Sequence, residues 1–271
     1  MKIVDVVGCR PQFIKLAPIL RAITEHDRKH PGCPIQEVLI HTGQHYDYEM
    51  SQVFFDELGL KPPDYHLGVG SGTHGYQTGE MLKRIEEVLL KEKPDLVMVY
   101  GDTNTTLAGA LAAVKLHIPV AHVEAGLRSF NKKIPEEINR VLVDHVSDLL
   151  FCPTRTAVEN LQREGIRKGV HLVGDVMYDA VLLYLDLAEK KSRIMERLGL
   201  KPKSYALATV HRAENTDQPD RLQAIMEGLE RVAREGLPVI LPLHPRTRKR
   251  LNALGIYPKA VSYTHLTLPT N

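Results

Sequence analysis

Acidic residues at the ends of two successive apolar runs are the first candidates for chemistry in this sequence. Asp102 follows a strand predicted over 95–100, and Glu124 follows a buried strand predicted over 119–123. In a doubly wound sheet both carboxylates would point into one crevice, at the edge where such sheets bind ligands. A carboxylate directly after a buried strand must be paired, solvated in a cleft or shifted in pKa. Glu124 is therefore a candidate functional residue.

A third acidic position lies at the predicted start of a helix. Pro135 fits the first helical position, and Glu136 and Glu137 fill the first turn. These carboxylates could instead complement the helix dipole, with Glu136 paired to Arg140 four residues later. Asp102 has a structural alternative as well, because Asp-Thr after a strand is common N-cap chemistry. One face of the helix would continue through Ile138, Val141, Leu142 and His145.

Basic residues follow two other strand ends, where they would suit phosphate. Arg10 and Lys15 flank the start of the first predicted helix, whose free backbone N–H groups favour anions, so a diphosphate would fit that corner. In the second half of the chain, His211 and Arg212 follow a strand and would also suit phosphate. The structural alternatives are solvated surface cations for the first pair and a structural histidine for His211.

Alternating strands and helices would position these residues. Short apolar runs alternate with longer amphipathic patterns, which predicts an α/β protein with a parallel sheet and right-handed crossovers. We predict a Rossmann-like domain over 1–174, a connecting helical segment over 175–200 and a partial second Rossmann-like domain over 201–260. The segment 261–271 shows neither helical periodicity nor a convincing cap, so we predict a non-native tail after a truncated second domain.

Composition and charge argue against several classes of protein. The chain has 271 residues, of which 43% are hydrophobic and 25% charged, as is typical of a soluble enzyme. A formal net charge of +2 with scattered Lys and Arg argues against a nucleic-acid partner or an acidic membrane surface. The three cysteines include no CxxC pair, and the sequence contains no signal peptide and no membrane-spanning run. We therefore predict a cytoplasmic protein.

Seven short motifs follow one another along the chain, namely GCRPQFIK, HTGQHYD, GDTNTT, HVEAGLRSF, PEEINR, VGDVMYDA and TVHRAEN. In this order they resemble the non-hydrolysing UDP-N-acetylglucosamine 2-epimerases. Each motif alone is weak, but seven in register are highly specific. The resemblance implies a GT-B type fold, in which two Rossmann-like doubly wound domains face each other across a cleft, the second being incomplete here. It also implies a homodimer and a reaction that needs no metal or other cofactor.

The resemblance implies an isomerase that interconverts UDP-N-acetylglucosamine and UDP-N-acetylmannosamine. Loss of UDP as the sugar C2 proton leaves would give a 2-acetamidoglucal intermediate, and UDP would then add back as a proton reaches the opposite face. Acid–base groups are therefore needed on both faces. By resemblance, Asp102, Glu124 and Glu136 have acid–base and supporting roles, and His211 handles UDP as the leaving group. The substrate-binding residues would be Arg10, Lys15, Arg140, Arg212 and His244.

Three alternatives to this activity stay open. A hydrolysing epimerase would release UDP and free N-acetylmannosamine, and a GT-B glycosyltransferase would pass the sugar to an acceptor. The three acidic positions together favour an epimerase over a transferase. An alternative of a different class is a non-catalytic UDP-sugar-binding fragment, which the abrupt end of the helical and strand pattern favours.

Overall fold

A parallel sheet carries the acidic residues at its strand ends. The computed structural model describes residues 1–44, 52–243, 245–256 and 261–265. The first seven strands are β1 (Lys2–Val7), β2 (Gln36–His41), β3 (Tyr65–His66), β4 (Leu96–Tyr100), β5 (Val120–Val123), β6 (Leu149–Cys152) and β7 (Val170–Leu172). They form one sheet in the order β3-β2-β1-β4-β5-β6-β7, with every neighbouring pair parallel.

Helices cover both faces of this sheet. They are α1 (Arg10–Lys29), α2 (Gln52–Leu58), α3 (His74–Glu92), α4 (Asn104–Lys115), α5 (Pro135–Val146), α6 (Arg155–Arg163) and α7 (Val176–Lys191). Successive side chains of a strand point to opposite faces. In β1, Val4 and Val6 accordingly share a core cluster with residues of α3, α4 and α5, whereas Ile3 and Val7 share one with residues of α1, α2 and α7. This two-sided burial explains why the strands read as continuous apolar runs.

The strand order reverses in the middle of the sheet. From β1 the chain moves outward through β2 and β3, and it then returns to β4 on the other side of β1. In open α/β sheets ligands bind outside the carboxyl ends of the strands at such a switch point. The switch point here lies between β1 and β4, and the turn after β5 is adjacent to it.

A second, smaller unit follows along the chain. The structure divides between Asp186 and Leu187, within α7. The second unit contains α8 (Ile194–Arg197), β8 (Ala206–Leu207), α9 (Ala213–Thr216), α10 (Pro219–Arg234), β9 (Val239–Leu243), α11 (Pro245–Leu254) and β10 (Val261–His265). Its strands are parallel in the order β10-β9-β8, and β8 and β9 share a core with α10 and α11. Two α/β units with parallel sheets confirm the predicted α/β class.

Residues 261–265, predicted from the sequence to belong to a non-native tail, pair with β9 as strand β10. The non-native origin of 261–271 and the predicted domain limits stay predictions. None of the helices in the described ranges is long and apolar enough to cross a membrane.

Candidate active site

The turns after β1 and β4 are joined by buried hydrogen bonds. Gln12, in the first turn of α1, donates through Nε2 to the carbonyl oxygen of Tyr100 at 3.0 Å and accepts from the Gly8 N–H at 2.8 Å. Gly8 has no room for a side chain, since a Cβ there would lie 2.0 Å from Thr42 Oγ1 and 2.4 Å from Thr105 Oγ1. This packing fixes the two strand ends that border the switch point.

Glu124 directly follows β5 and pairs with a lysine from α1. Its backbone N–H donates to the Phe151 carbonyl oxygen at 3.1 Å, and its φ of 76° lies in the left-handed region, which is unfavourable for a residue with a side chain. The Glu124 carboxylate forms an ion pair with Nζ of Lys15, whose side chain is only 10% exposed. Lys15, predicted to bind a diphosphate, therefore also contacts the predicted acid–base residue.

Gly101 brings this ion pair close to Asp102. The residue has a φ of 65°, and a Cβ placed on it would lie 3.0 Å from Lys15 Nζ and 3.6 Å from Glu124 Oε2. The Lys15–Glu124 pair thus lies against the backbone that immediately precedes Asp102. Glu124 and the turn that contains Asp102 are therefore close together in the first unit.

Asp102 is held by two residues of α5. Arg140 forms an ion pair with its carboxylate, and Nδ2 of Asn139 donates to its carbonyl oxygen at 2.9 Å. The alternative role as a helix cap is wrong for Asp102, because Thr103 is the N-cap of α4 and its Oγ1 accepts from the Thr106 N–H. The Asp102 carboxylate instead pairs with the guanidinium of Arg140.

The two adjacent glutamates in the first turn of α5 have different environments. Glu136 is exposed, and in the part of the chain that the structure describes its carboxylate makes neither a hydrogen bond nor an ion pair. The alternative Glu136–Arg140 pair is wrong, since Arg140 contacts Asp102 and, through NH1 at 3.4 Å, Glu137 Oε2. Glu136 is therefore available to a ligand, whereas Arg140 is committed to its neighbours in the fold.

Glu137 holds the loop before α5. It is buried and accepts from Ser129 N at 2.9 Å, Ser129 Oγ at 2.9 Å and Phe130 N at 2.8 Å. Burial alone would raise its pKa, but the hydrogen bonds from Ser129 and Phe130 and the charge of Arg140 outweigh burial and lower it. Glu137 is thus a structural residue.

We expect Glu137→Gln to lower the free energy of unfolding by about 2 kcal/mol, because an amide NH₂ would face N–H donors in place of one carboxylate oxygen. The matched control is Glu136→Gln, whose exposed side chain should change the unfolding free energy by less than about 0.5 kcal/mol. Urea unfolding of both variants measures the change in unfolding free energy. Equal losses in the two variants would contradict the structural role of Glu137.

The buried face of α5 is partly polar, contrary to the sequence expectation. Ile138 and Leu142, which mark the predicted apolar face, are 48% and 45% exposed. The buried positions include Asn139 and Asp144, neither of which is among the site residues predicted from the sequence. Their hydrogen bonds to strand-end backbone compensate for burial, so helical spacing of apolar residues alone could not identify this face.

The other predicted site residues lie at the start of α1, in the second unit or outside the described residues. Arg10 is the first residue of α1 and is partly buried. His211 and Arg212 are exposed residues of the second unit, and Arg212 NH1 lies 3.7 Å from Glu214 Oε1. His244 lies outside the described residues. The first unit therefore brings together Lys15, Asp102, Glu124 and Arg140.

A cavity adjoins Glu124 within the first unit. Its volume is about 270 Å³, and Met98, Val123 and Phe151 of the sheet contribute apolar walls. Ile19 of α1 and Val176 of α7 line it as well. Drug-sized ligands occupy pockets of about 300–1,000 Å³, so this space suits part of such a ligand rather than all of it. Among the described residues, no group of three or more His, Cys, Asp and Glu side chains could hold a metal ion.

Comparison with known proteins assigns the chain to a family. The family model described as UDP-N-acetylglucosamine 2-epimerase matches residues 28–269. The chain belongs to the UDP-N-acetylglucosamine 2-epimerase family. A relative from Methanococcus maripaludis, named a UDP-N-acetylglucosamine 2-epimerase homolog, is 56% identical over 99% of this chain and 72% of its own length. A Pseudomonas aeruginosa relative named UDP-2,3-diacetamido-2,3-dideoxy-D-glucuronate 2-epimerase is 52% identical over 94% of this chain and 70% of its own.

Solved structures of this epimerase family share the fold. The crystal structure of Methanocaldococcus jannaschii UDP-GlcNAc 2-epimerase in complex with UDP-GlcNAc and UDP is similar with a TM-score of 0.88 and 48% identity. The similarity covers 98% of this chain and 74% of that chain. Together with the two Rossmann-like units, it confirms the predicted GT-B type fold class.

Proposed function

We propose that this epimerase-family protein interconverts UDP-N-acetylglucosamine and UDP-N-acetylmannosamine without net hydrolysis. The observation that carries the proposal is the position of Glu124, paired with Lys15, against the turn that presents Asp102. Two carboxylates from adjacent strand ends can serve a single sugar carbon. The relatives named for UDP-N-acetylglucosamine 2-epimerase support the choice of substrate.

The reaction needs both proton transfer and departure of a leaving group. No carbonyl in the sugar ring acidifies the proton at C2, so its removal must be coupled to cleavage of the C1–O bond. A base takes the C2 proton, UDP leaves with the C1–O electron pair, and a C1–C2 double bond forms in 2-acetamidoglucal. UDP then adds back at C1 while an acid delivers a proton to the opposite face of C2. Such acid–base groups typically contribute about 10²–10⁴-fold each.

The residues of the first unit can supply the proton-transfer groups. As the carboxylate of an ion pair, Glu124 can accept a proton, and Asp102 and exposed Glu136 provide further acid–base groups for the other face. Lys15 and Arg140 fix these carboxylates and contribute positive charge near the departing diphosphate. Arg10 is the further cation at the start of α1, where backbone N–H groups favour phosphate.

The residues of the second unit are assigned by resemblance. We propose that His211 handles UDP as the leaving group, and that Arg212 and His244 bind the UDP-sugar. The exposed side chains of His211 and Arg212 are consistent with ligand contact. The reaction proposed here requires no metal or other cofactor. We further propose a cytoplasmic homodimer, whose subunit number sedimentation equilibrium would measure.

A second candidate substrate is UDP-2,3-diacetamido-2,3-dideoxy-D-glucuronate. The Pseudomonas aeruginosa relative named for that sugar is 52% identical to this chain, so overall similarity does not separate the two substrates. Both are UDP-linked 2-acetamido sugars that can epimerise at C2 by the same elimination and addition. Side-by-side kcat/KM values with the two sugars would choose between them.

The proposed function is tested by proton NMR of the chain with UDP-N-acetylglucosamine in D₂O. We expect deuterium at C2 together with UDP-N-acetylmannosamine. Accumulation of free N-acetylmannosamine would identify a hydrolysing enzyme, and turnover only with an added acceptor would identify a transferase. The same run includes a longer chain, continued with the C-terminal residues of the Methanocaldococcus jannaschii relative. If only the longer chain exchanges the C2 proton, the loss of activity lies in the second unit of the present chain. If either chain binds UDP but neither exchanges the C2 proton, a non-catalytic binding protein is favoured.

We expect Gly101→Ala to reduce turnover about tenfold or more, since its Cβ would displace Lys15 Nζ from the carboxylate of Glu124. Its left-handed φ adds a stability cost of about 1–2 kcal/mol. Gly59→Ala is the matched control, because Gly59 has a φ of 66° and its added Cβ has no atom of the described residues within 4 Å. Equal turnover in the two variants would contradict a role for the Lys15 contact.

A further inference from the structure

A fully buried histidine reaches the turn before Asp102. His122 lies in β5, and its Nε2 is 2.7 Å from the carbonyl oxygen of Gly101. Its Nδ1 is 2.7 Å from Oδ1 of Asp144. A carbonyl oxygen and a carboxylate are both acceptors, so the ring lies between two hydrogen-bond acceptors. The ring connects the turn after β4 to the helix α5.

Asp144 is the acceptor at the centre of this buried group. Besides His122, it accepts from the Gly126 N–H at 3.0 Å and from Arg128 NH1 at 2.6 Å. Burial opposes its ionisation, but the hydrogen bonds and charges of His122 and Arg128 outweigh burial and lower the pKa of Asp144. Asp144 therefore connects α5 to the turn that begins with Glu124.

Gly126 can occupy its place only without a side chain. Its φ is 79°, and a Cβ would lie 2.4 Å from the carbonyl oxygen of Ala157. The carbonyl oxygen of Gly126 accepts from Nδ2 of Asn160 at 3.0 Å. Because the Gly126 N–H also donates to Asp144, the peptide groups before and after Gly126 are both held by hydrogen bonds. This arrangement anchors the turn whose first residue is Glu124.

The geometry points to His122 and Asp144 as positioning residues for the proposed epimerase reaction. Through Gly101, His122 sets the turn that presents Asp102, and through Gly126, Asp144 sets the turn that presents Glu124. The inference rests on the proposed function, since it concerns the placement of the two carboxylates that would serve C2. Neither residue is assigned any contact with the substrate.

Placement matters because acid–base groups act only over hydrogen-bond distances. A misplacement of about 1 Å by a mutation away from the reacting atoms can lower the rate about 10²-fold. Asn139 and Arg140 hold Asp102 from the same helix. Helix α5 thus supports the turns after both β4 and β5, and the contact between His122 and Asp144 connects these two points of support.

Two substitutions of His122 each remove one of its two hydrogen bonds and keep the other. In His122→Gln the amide nitrogen can occupy the position of Nε2 and keep the bond to Gly101, whereas in His122→Asn it can occupy the position of Nδ1 and keep the bond to Asp144. Both variants lose the imidazole ring, so each controls for the other. We expect His122→Asn to lower kcat about 10- to 100-fold with little change in KM, and His122→Gln to stay within about threefold of the unsubstituted chain.

Backbone amide exchange provides a readout that needs no turnover. We expect faster hydrogen–deuterium exchange in 101–103 for His122→Asn than for His122→Gln, and faster exchange of the Gly126 amide in Asp144→Asn. Equal kcat in the two His122 variants, or an effect on KM alone, would overturn the positioning role. If neither the unsubstituted chain nor the longer chain shows C2 exchange, the proposed function fails, and equal amide exchange in the His122 pair separately overturns the positioning role.

Discussion

Replacing Glu124 by Gln is expected to lower the rate of C2 proton exchange by about 10²–10⁴-fold, the contribution typical of a positioned acid–base group. The amide has nearly the same shape as the carboxylate but cannot accept the C2 proton. It also removes one charge from the ion pair with Lys15, whose side chain is 10% exposed. The effect on kcat should therefore exceed the effect on UDP affinity.

Deuterium incorporation at C2 and calorimetric titration with UDP together test this prediction. Glu159→Gln is the control, since its side chain is 57% exposed and lies on α6, and it should retain full exchange. Retained exchange in Glu124→Gln would exclude Glu124 as the base. A parallel loss of UDP binding and exchange would instead assign Glu124 to substrate binding.

The stability of the first unit is expected to fall as pH rises from about 4 to 8 because of one buried carboxyl group. Asp5 lies in the central strand β1 with no exposed surface, and the Tyr100 hydroxyl donates to its Oδ1. Burial raises the pKa of Asp5 from 3.8 to about 7, despite the opposing hydrogen bond from Tyr100. The folded state therefore retains a proton that the unfolded state releases.

The sign of this effect follows from proton counts. Between pH 4 and 7 the folded state binds more protons at Asp5 than the unfolded state, so the free energy of unfolding decreases with pH. At 1.36 kcal/mol per pKa unit, the loss at pH 8 is on the order of 4 kcal/mol. The stabilising contribution is fully present below the unfolded pKa and is lost as the pH passes the folded pKa.

Urea unfolding of the wild-type chain and of Asp5→Asn at pH 5 and pH 8 measures the effect. The amide cannot ionise, so the variant should gain stability relative to the wild type as the pH rises. Asp186→Asn, at an exposed position of α7, is the control and should follow the wild type. Parallel pH profiles for the wild type and Asp5→Asn would contradict the raised pKa.

The fold was largely predictable because its signals are local. Strands such as 96–100 and 120–123 are continuous apolar runs, and the turn residues Gly101 and Gly126 follow them. Burial on both faces produces such runs, and parallel pairing follows from the intervening helices. Asp102 and Glu124 were found from the same local signal, since each directly follows a buried strand.

The side-chain pairing of the site was less predictable because it depends on distant parts of the chain. Lys15 was expected at a diphosphate, but it reaches Glu124 across more than a hundred residues of sequence. The structural alternative for Arg140 was a pair within its own helix, whereas its carboxylate partner is Asp102, which follows β4. Helical spacing describes only neighbours within one element, so tertiary packing determined both partners.

The strand order also has a consequence for the nascent chain. β1 is flanked by β2 and β4, and Lys2 N donates to Asp95 Oδ2 across 93 residues of sequence. At a synthesis rate of about 5–20 residues per second, one edge of β1 waits about 5–20 s for its partner. An unpaired apolar strand edge is a template for association with other chains. The ribosome-bound first unit is therefore most prone to aggregation before β4 emerges.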